Sequence, residues 1–392
     1  MNQPTSYFHR IFEGSDHRGI IASIASISVV GMGIGLSFPL LSLLMEQRGI
    51  ASSIIGANTA VAGIAAMIVV PFVTPLARRI GVVNTMLSAM LVFVMCMAGF
   101  YLTDNLPVWF VLRFIASACV TSAFILSEFW INSATVERNR GMILGIYGSV
   151  LSIGFAVGPG ILSLVGTVGF LPFAIGIGII LSAMMPILYG RDNEPKMEKT
   201  GKTPSVLPYL FMVPLATMAG LVFGAAEQIE LALLPVFAVK SGYEVQTAAL
   251  FLTVVGLGNV LLQIPLGILS DRVNDRRTVL LGCTLVGLIG AILIPLLANI
   301  SWMLAIILFV YGGIISGMYT VGLAHLGSRL SGTDLAQANA AFVLCYGFGM
   351  TLGPQIAGIA MDLIGPAGFG ATLFMFFALY LAVYIFRYIQ NK

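Results

Sequence analysis

Apolar runs of about twenty residues or more, separated only by short charged or Pro/Gly-bearing turns, recur from one end of this chain to the other. A run of that length crosses a bilayer as a helix, since one span needs about 20 apolar residues. It is about twice as long as the alternating strand of an outer-membrane barrel. The breaks predict spans near 19–45, 52–77, 83–103, 106–133, 141–165, 168–189, 207–239, 245–270, 278–298, 301–327, 337–363 and 367–387. Composition closes off the soluble alternative: 58% of the 392 residues are hydrophobic and 9% charged, against roughly 25% charged in an ordinary soluble protein. The mean hydropathy is +1.01. The longest polar stretch, Arg191 through Ser205, is too short and too charged to fold alone. Met1 to Gly19 is polar and lacks the order of a cleavable signal peptide, so the first span is expected to be retained.

The basic residues divide by side. Arg10, Arg18, Arg78, Arg79, Arg138, Arg140, Arg191, Lys196, Lys199, Lys202, Arg272, Arg276, Arg277, Arg329, Arg387 and Lys392 fall in one set of alternate loops and the termini, 16 of the 19 Lys and Arg. Arg48 and Lys240 fall in the opposite set, and Arg113 lies inside a span. The positive-inside rule then puts both termini in the cytoplasm, the membrane being the cytoplasmic (inner) one, and supports an even number of spans. The formal charge of +3 is no argument for nucleic acid. Cys96, Cys119, Cys283 and Cys345 sit in apolar runs without close spacing, so neither a disulfide framework nor a cysteine zinc site is expected.

Half the chain repeats the other half. Gly154, Gly158 and Pro159 recur 195 residues later as Gly349, Gly353 and Pro354; Phe38-Pro39-Leu40 has its counterpart in Leu234-Pro235-Val236; and Pro71 to Gly81 matches Pro265 to Asp275. Two similar apolar halves joined by a charged linker imply residues 1–190 and 207–392 as six-helix units, with 191–206 between them and a substrate pathway along their interface.

With these motifs the chain resembles the major facilitator superfamily over essentially its whole length. Asp271-Arg272 with Arg276 and Arg277 is similar to the family's cytoplasmic signature between the second and third helices of a half, in which the acid holds the halves together in one alternating-access state. The N-terminal copy keeps Arg78 and Gly81 but has Ala77 in place of the acid, so such a latch is expected to rest on the C-terminal half. Gly145, Gly154, Gly158 and Pro159 resemble the glycine–proline pattern of drug:proton antiporters, with Leu162 and Ser163 in place of its closing glycines. Glycines in such a helix permit close packing and the proline a bend. Arg113 resembles that branch's membrane-embedded arginine, implicated there in proton coupling, and Glu137-Arg138-Asn139-Arg140-Gly141 its charged turn. The combination is most similar to the YcaD-type branch. The resemblance implies an all-α membrane protein of 12 helices in two pseudo-symmetric halves, acting as a monomer, with the first, fourth, seventh and tenth helices lining a central cavity.

Charges inside a span are costly, about 2.5 to 3.5 kcal/mol each on insertion scales, so the few present mark candidate function. They are Arg113, Glu128, Glu227 and Glu230, with His325 as a titratable neighbour. At 1.5 Å per residue, Arg113 lies about 10 Å outward and Glu128 about 12 Å inward of the middle of the fourth span, at Val120. Arg113 is depth-matched to Glu227 and Glu230, one turn apart on the seventh span. The expectation is a switchable ionic cluster of these three: two like charges in a partly dry cavity cannot both ionise cheaply, which makes the pair a proton carrier. The alternative is a static pair that orders helices. Glu128 and His325 share an inner depth, either satisfying each other or forming a proton exit. Tyr319, with Tyr311, Asn259, Gln263, Tyr346 and Gln355, offers cavity hydrogen bonds or helix contacts.

A nucleotide-binding loop and the His-Glu-x-x-His and Gly-x-Ser-x-Gly patterns are missing from the sequence, so no cofactor and no enzymatic activity are expected. Met86, Met90, Met95 and Met97 are soft ligands in kind, but methionine is also a general gap-filler, and no metal site is expected. The reading is a secondary transporter of a small organic solute, working with protons in a lipid bilayer, in the direction of proton-coupled export. The alternatives are an importer of a metabolite or metal, or a non-transporting sensor or assembly protein.

Overall fold

The structure, a computed structural model, describes residues 16–136, 140–197, 208–273, 275–330 and 332–390. Arg10, Arg138, Lys199, Lys202, Lys392 and the Glu137–Asn139 part of the charged turn lie outside the described residues. Among the described residues, twelve helices are long and apolar enough to cross a membrane. They are α1 (His17–Gln47), α2 (Ser52–Ile80), α3 (Val82–Leu102), α4 (Leu106–Ala134), α5 (Arg140–Val165), α6 (Leu171–Tyr189), α7 (Pro214–Lys240), α8 (Val245–Arg272), α9 (Arg276–Leu296), α10 (Ser301–Gly327), α11 (Gly332–Ile364) and α12 (Ala367–Gln390).

Local chemistry sets their ends. The side chains of Asp16, Asn105 and Asp275 accept from the N–H groups of Arg18, Val108 and Arg277, capping α1, α4 and α9. Two elements depart most from the expected spans, and the eleventh begins at Gly332 instead of 337. The seventh does not begin at 207: a four-residue turn, Tyr209–Met212, precedes α7, which opens on Pro214, a residue suited to a first helical turn because it has no N–H to satisfy. The tenth is broken at Ser316 into Ser301–Ile315 and Gly317–Gly327, with the Ser316 hydroxyl bonded back to the Gly313 carbonyl at 2.8 Å.

The packing repeats with the helix number advanced by six. α1 lies on α5 and α7 on α11; α2 on α4 and α8 on α10; α3 on α6 and α9 on α12. The first six and last six helices meet through α2–α11, α5–α8 and α1–α7. α1 and α7 form the centre: 72% and 83% of their most apolar stretch is buried, against 28% for α5 and α8, which turn much of their surface outward.

Glycine makes the tightest of these contacts. A Cβ on Gly154 or Gly158 of α5 would stand 2.5 Å from the Ser28 or Met32 carbonyl of α1. On α11, a Cβ at Gly349 would run into the Leu221 carbonyl, and one at Gly353 would lie 2.8 Å from Ala225 Cα of α7. Pro159 and Pro354 sit inside α5 and α11, one residue beyond the second glycine of each pair.

The face that carries the start of α1 and the end of α12 is called terminal here, and the opposite face distal. At the distal face polar links join the first six helices to the last six. Lys240 Nζ at the end of α7 pairs with Glu46 Oε1 at the end of α1 at 3.2 Å, and Asp362 of α11 accepts from the Ser52 and Ser53 N–H groups of α2 at 2.7 and 2.9 Å.

Candidate functional site

The buried charges of α7 do not share one surrounding. Glu227 is half-buried and accepts a hydrogen bond from the Tyr346 hydroxyl of α11. Around it stands an aromatic wall: Phe223 of α7 lies 5.6 Å from Tyr319 of α10 and 6.3 Å from Tyr346, ring centre to ring centre, and Tyr319 lies 5.7 Å from Tyr346 and 5.2 Å from Phe342. Glu230, one turn toward the distal face, is 5% exposed; its Oε1 has no hydrogen-bond partner, and it lies within electrostatic reach of Glu227 and of the Tyr311 hydroxyl.

Glu128 of α4 faces the same ground from the other side. It is exposed, within the last two turns of α4. Its charge reaches Tyr147 of α5 and Tyr319 of α10, and Tyr319 also feels Glu227. Tyr147 is held in place by a 2.7 Å hydrogen bond with Ser127. Tyr319 is therefore within electrostatic reach of one carboxylate from the first six helices and one from the last six. Neither Glu128 nor Glu227 has an ion-pair partner among the described residues. Such a site suits a cation or protons: two acceptors of negative charge, with π faces beside them.

The expected cluster of Arg113 with Glu227 and Glu230 is not formed. Arg113 is 3% exposed, and its guanidinium lies 4.1 Å from the centre of the Phe38 ring of α1, in a cavity also lined by Phe93, Met97 and Phe100 of α3. Rise per residue sets depth but not direction around the helix, and Arg113 points between α1 and α3, away from α7. The pairing of Glu128 with His325 is also not formed. His325, 4% exposed, lies in a polar crevice with Ser270, Asp271, Asp275, Arg276 and Arg329 at the terminal end of the last six helices.

In that crevice Asp271 Oδ1 pairs with Arg276 at 3.1 Å, and Arg276 also donates to the Ala324 carbonyl of α10 at 3.1 Å. The signature acid thus ties α8 to α9 within the last six helices, and Arg272 beside it is exposed. In the first six, Arg78 is exposed in the last turn of α2, and Gly81, at φ +92°, is followed by a cap brought from elsewhere: the Val83 N–H donates to Glu194 Oε1 at 3.0 Å.

Sequence reasoning passed over Tyr147, Phe223, Phe342 and the Glu46–Lys240 pair. Glu46 and Lys240 close corresponding helices of the repeat at a displacement of 194, a signal sufficient to find them. The aromatic wall carried no such signal, because aromatic residues are scattered through eleven of the twelve spans.

The family model described as Major Facilitator Superfamily matches residues 24–262 and 242–391. An uncharacterized MFS-type transporter of Bacillus subtilis, YfkF, is 26% identical over 361 residues, 91% of each chain. YcaD of Escherichia coli, also an uncharacterized MFS-type transporter, is 26% identical over 293 residues, 73% of this chain and 74% of its own. Among solved structures, the nucleoside transporter NupG superposes with a TM-score of 0.72 at 16% identity, covering 96% of this chain and 99% of its own. A bacterial homologue of the human lysosomal transporter Spinster, inward-facing and unoccupied, gives 0.72 at 15%, covering 95% and 97%. These two structural likenesses concern the fold.

Proposed function

The chain belongs to the Major Facilitator Superfamily, and from that premise we propose that it exports a small organic cation or lipophilic base across the cytoplasmic membrane in exchange for protons. The observation that carries this reading is that Tyr319 lies within electrostatic reach of both Glu128 and Glu227, one carboxylate from each set of six helices. A cation held between two carboxylates neutralises both, and so do protons; the two occupants compete for the same charge, which is the requirement of exchange. Phe223, Tyr319 and Tyr346 add π faces that favour a delocalised or alkylated cation. Glu230, behind Glu227, supplies a second carboxyl for the proton to pass to. The segregation of the basic residues supports the terminal face as the cytoplasmic one, and the distal links support a state closed to the outside.

In proteoliposomes, a pH gradient should drive tetraphenylphosphonium toward the acid compartment. Glu128→Gln and Glu227→Gln should each reduce the gradient-driven component about tenfold or more, a factor worth about 1.4 kcal/mol. Unchanged coupling in both variants defeats the carrier assignment; accumulation in the alkaline compartment defeats exchange and favours import.

A further inference from the structure

The buried positive charge of α4 has no part in the carboxylate site and is unexplained by it. The cavity that Arg113 faces is lined from α1, α3 and α4 by aromatic and aliphatic side chains, Phe38, Phe93, Met97 and Phe100 among them, together with Ser37 and Ser117. No carboxylate lines it. Two of its polar atoms are orphaned: Arg113 Nε and Ser117 Oγ are both buried without a hydrogen-bond partner. They lie one helical turn apart on the same face of α4, and both residues line this cavity. Neither Glu227 nor Glu230 forms an ion pair with Arg113; Glu227 accepts from Tyr346, and Glu230 lies within electrostatic reach of Glu227. The face of Phe38 offsets part of the charge but accepts no hydrogen bond in the guanidinium plane.

A neutral guest would satisfy the two donors and leave the charge; an anion does both. The cavity, about 10 Å³ open to a water-sized guest, admits a single small particle. We propose that Arg113 and Ser117 form a binding site for one small monovalent inorganic anion, a halide, which serves as the missing counter-ion and fastens α4 to α1 and α3. The site lies seven residues from the start of α4 at Leu106, about 10 Å below the distal end.

The test is thermal unfolding of the purified full-length protein in detergent, at constant ionic strength, as sodium chloride replaces sodium gluconate, whose anion exceeds the cavity. Chloride and bromide should raise the midpoint saturably, by about 2 °C or more, with gluconate inert. Ser117→Ala should shift half-saturation several-fold to higher chloride, and Arg113→Met should abolish the response. Identical midpoints in chloride and gluconate for the unmodified protein overturn the proposal, as does a full chloride response in Arg113→Met. If that variant does not fold, the unmodified protein and Ser117→Ala still decide: an unshifted half-saturation in Ser117→Ala rejects the site.

Discussion

Gly154 and Gly158 of α5, and Gly349 and Gly353 of α11, are places where helix backbone meets helix backbone with no room for a side chain. Gly145, part of the same sequence pattern, has nothing within 4 Å of a Cβ position. The pattern therefore separates into contact glycines and a free one. Gly158→Val and Gly353→Val should each destabilise the folded protein by about 1–3 kcal/mol, the usual range for overpacking, whereas Gly145→Ala should leave the unfolding midpoint in detergent nearly unchanged. Residue identity alone showed which side chains are costly in a membrane, and Tyr319 lies within electrostatic reach of both Glu128 and Glu227. It did not show direction. Arg113 and His325 have the right depth for their expected partners but face other neighbours, because a side chain's bearing around its helix depends on how the helix is rotated in the bundle, which no local spacing encodes.

Helix ends were largely legible, since charged turns and capping residues mark them; most observed boundaries fall within three residues of those expected from the apolar runs. The break at Ser316 was not legible, because a serine flanked by glycine and isoleucine reads as ordinary span. It divides α10 between Tyr311, within electrostatic reach of Glu230, and Tyr319, within electrostatic reach of Glu128 and Glu227. At the distal ends, α1 and α7 are held by Glu46 and Lys240, which are 14% and 30% exposed. A pair this accessible to water contributes modestly, less than about 1 kcal/mol, enough to shift an even balance between two states several-fold. Lys240→Glu should increase thiol labelling of a cysteine placed on the distal half of α7, and the charge-reversed double variant Glu46→Lys with Lys240→Glu should restore the original labelling. Equal labelling in all three forms would show that the pair does not bias the balance.

The molecule as a whole is two similar sets of six helices whose mutual contacts run through α2–α11, α5–α8 and α1–α7. The segment after α6 is not merely a connection. Asp192 lies 3.8 Å from Arg18, Asn193 donates to Asp16 at 2.8 Å, and Glu194 caps α3 at the Val83 N–H. Glu194 also occupies the space beside Gly81, where a side chain would collide with it. Asp192, Asn193 and Glu194 thus hold on to the first six helices, although by sequence they look like linker. Covalent continuity and structural membership therefore part company at a definite place. Two separately encoded polypeptides, 1–197 and 208–392, should co-purify and retain flux when expressed together, while a pair divided at 189/190 should lose yield by stripping the first partner of its own clasp. The gene should then tolerate a cut after residue 197 and not one after residue 189, eight residues apart in text.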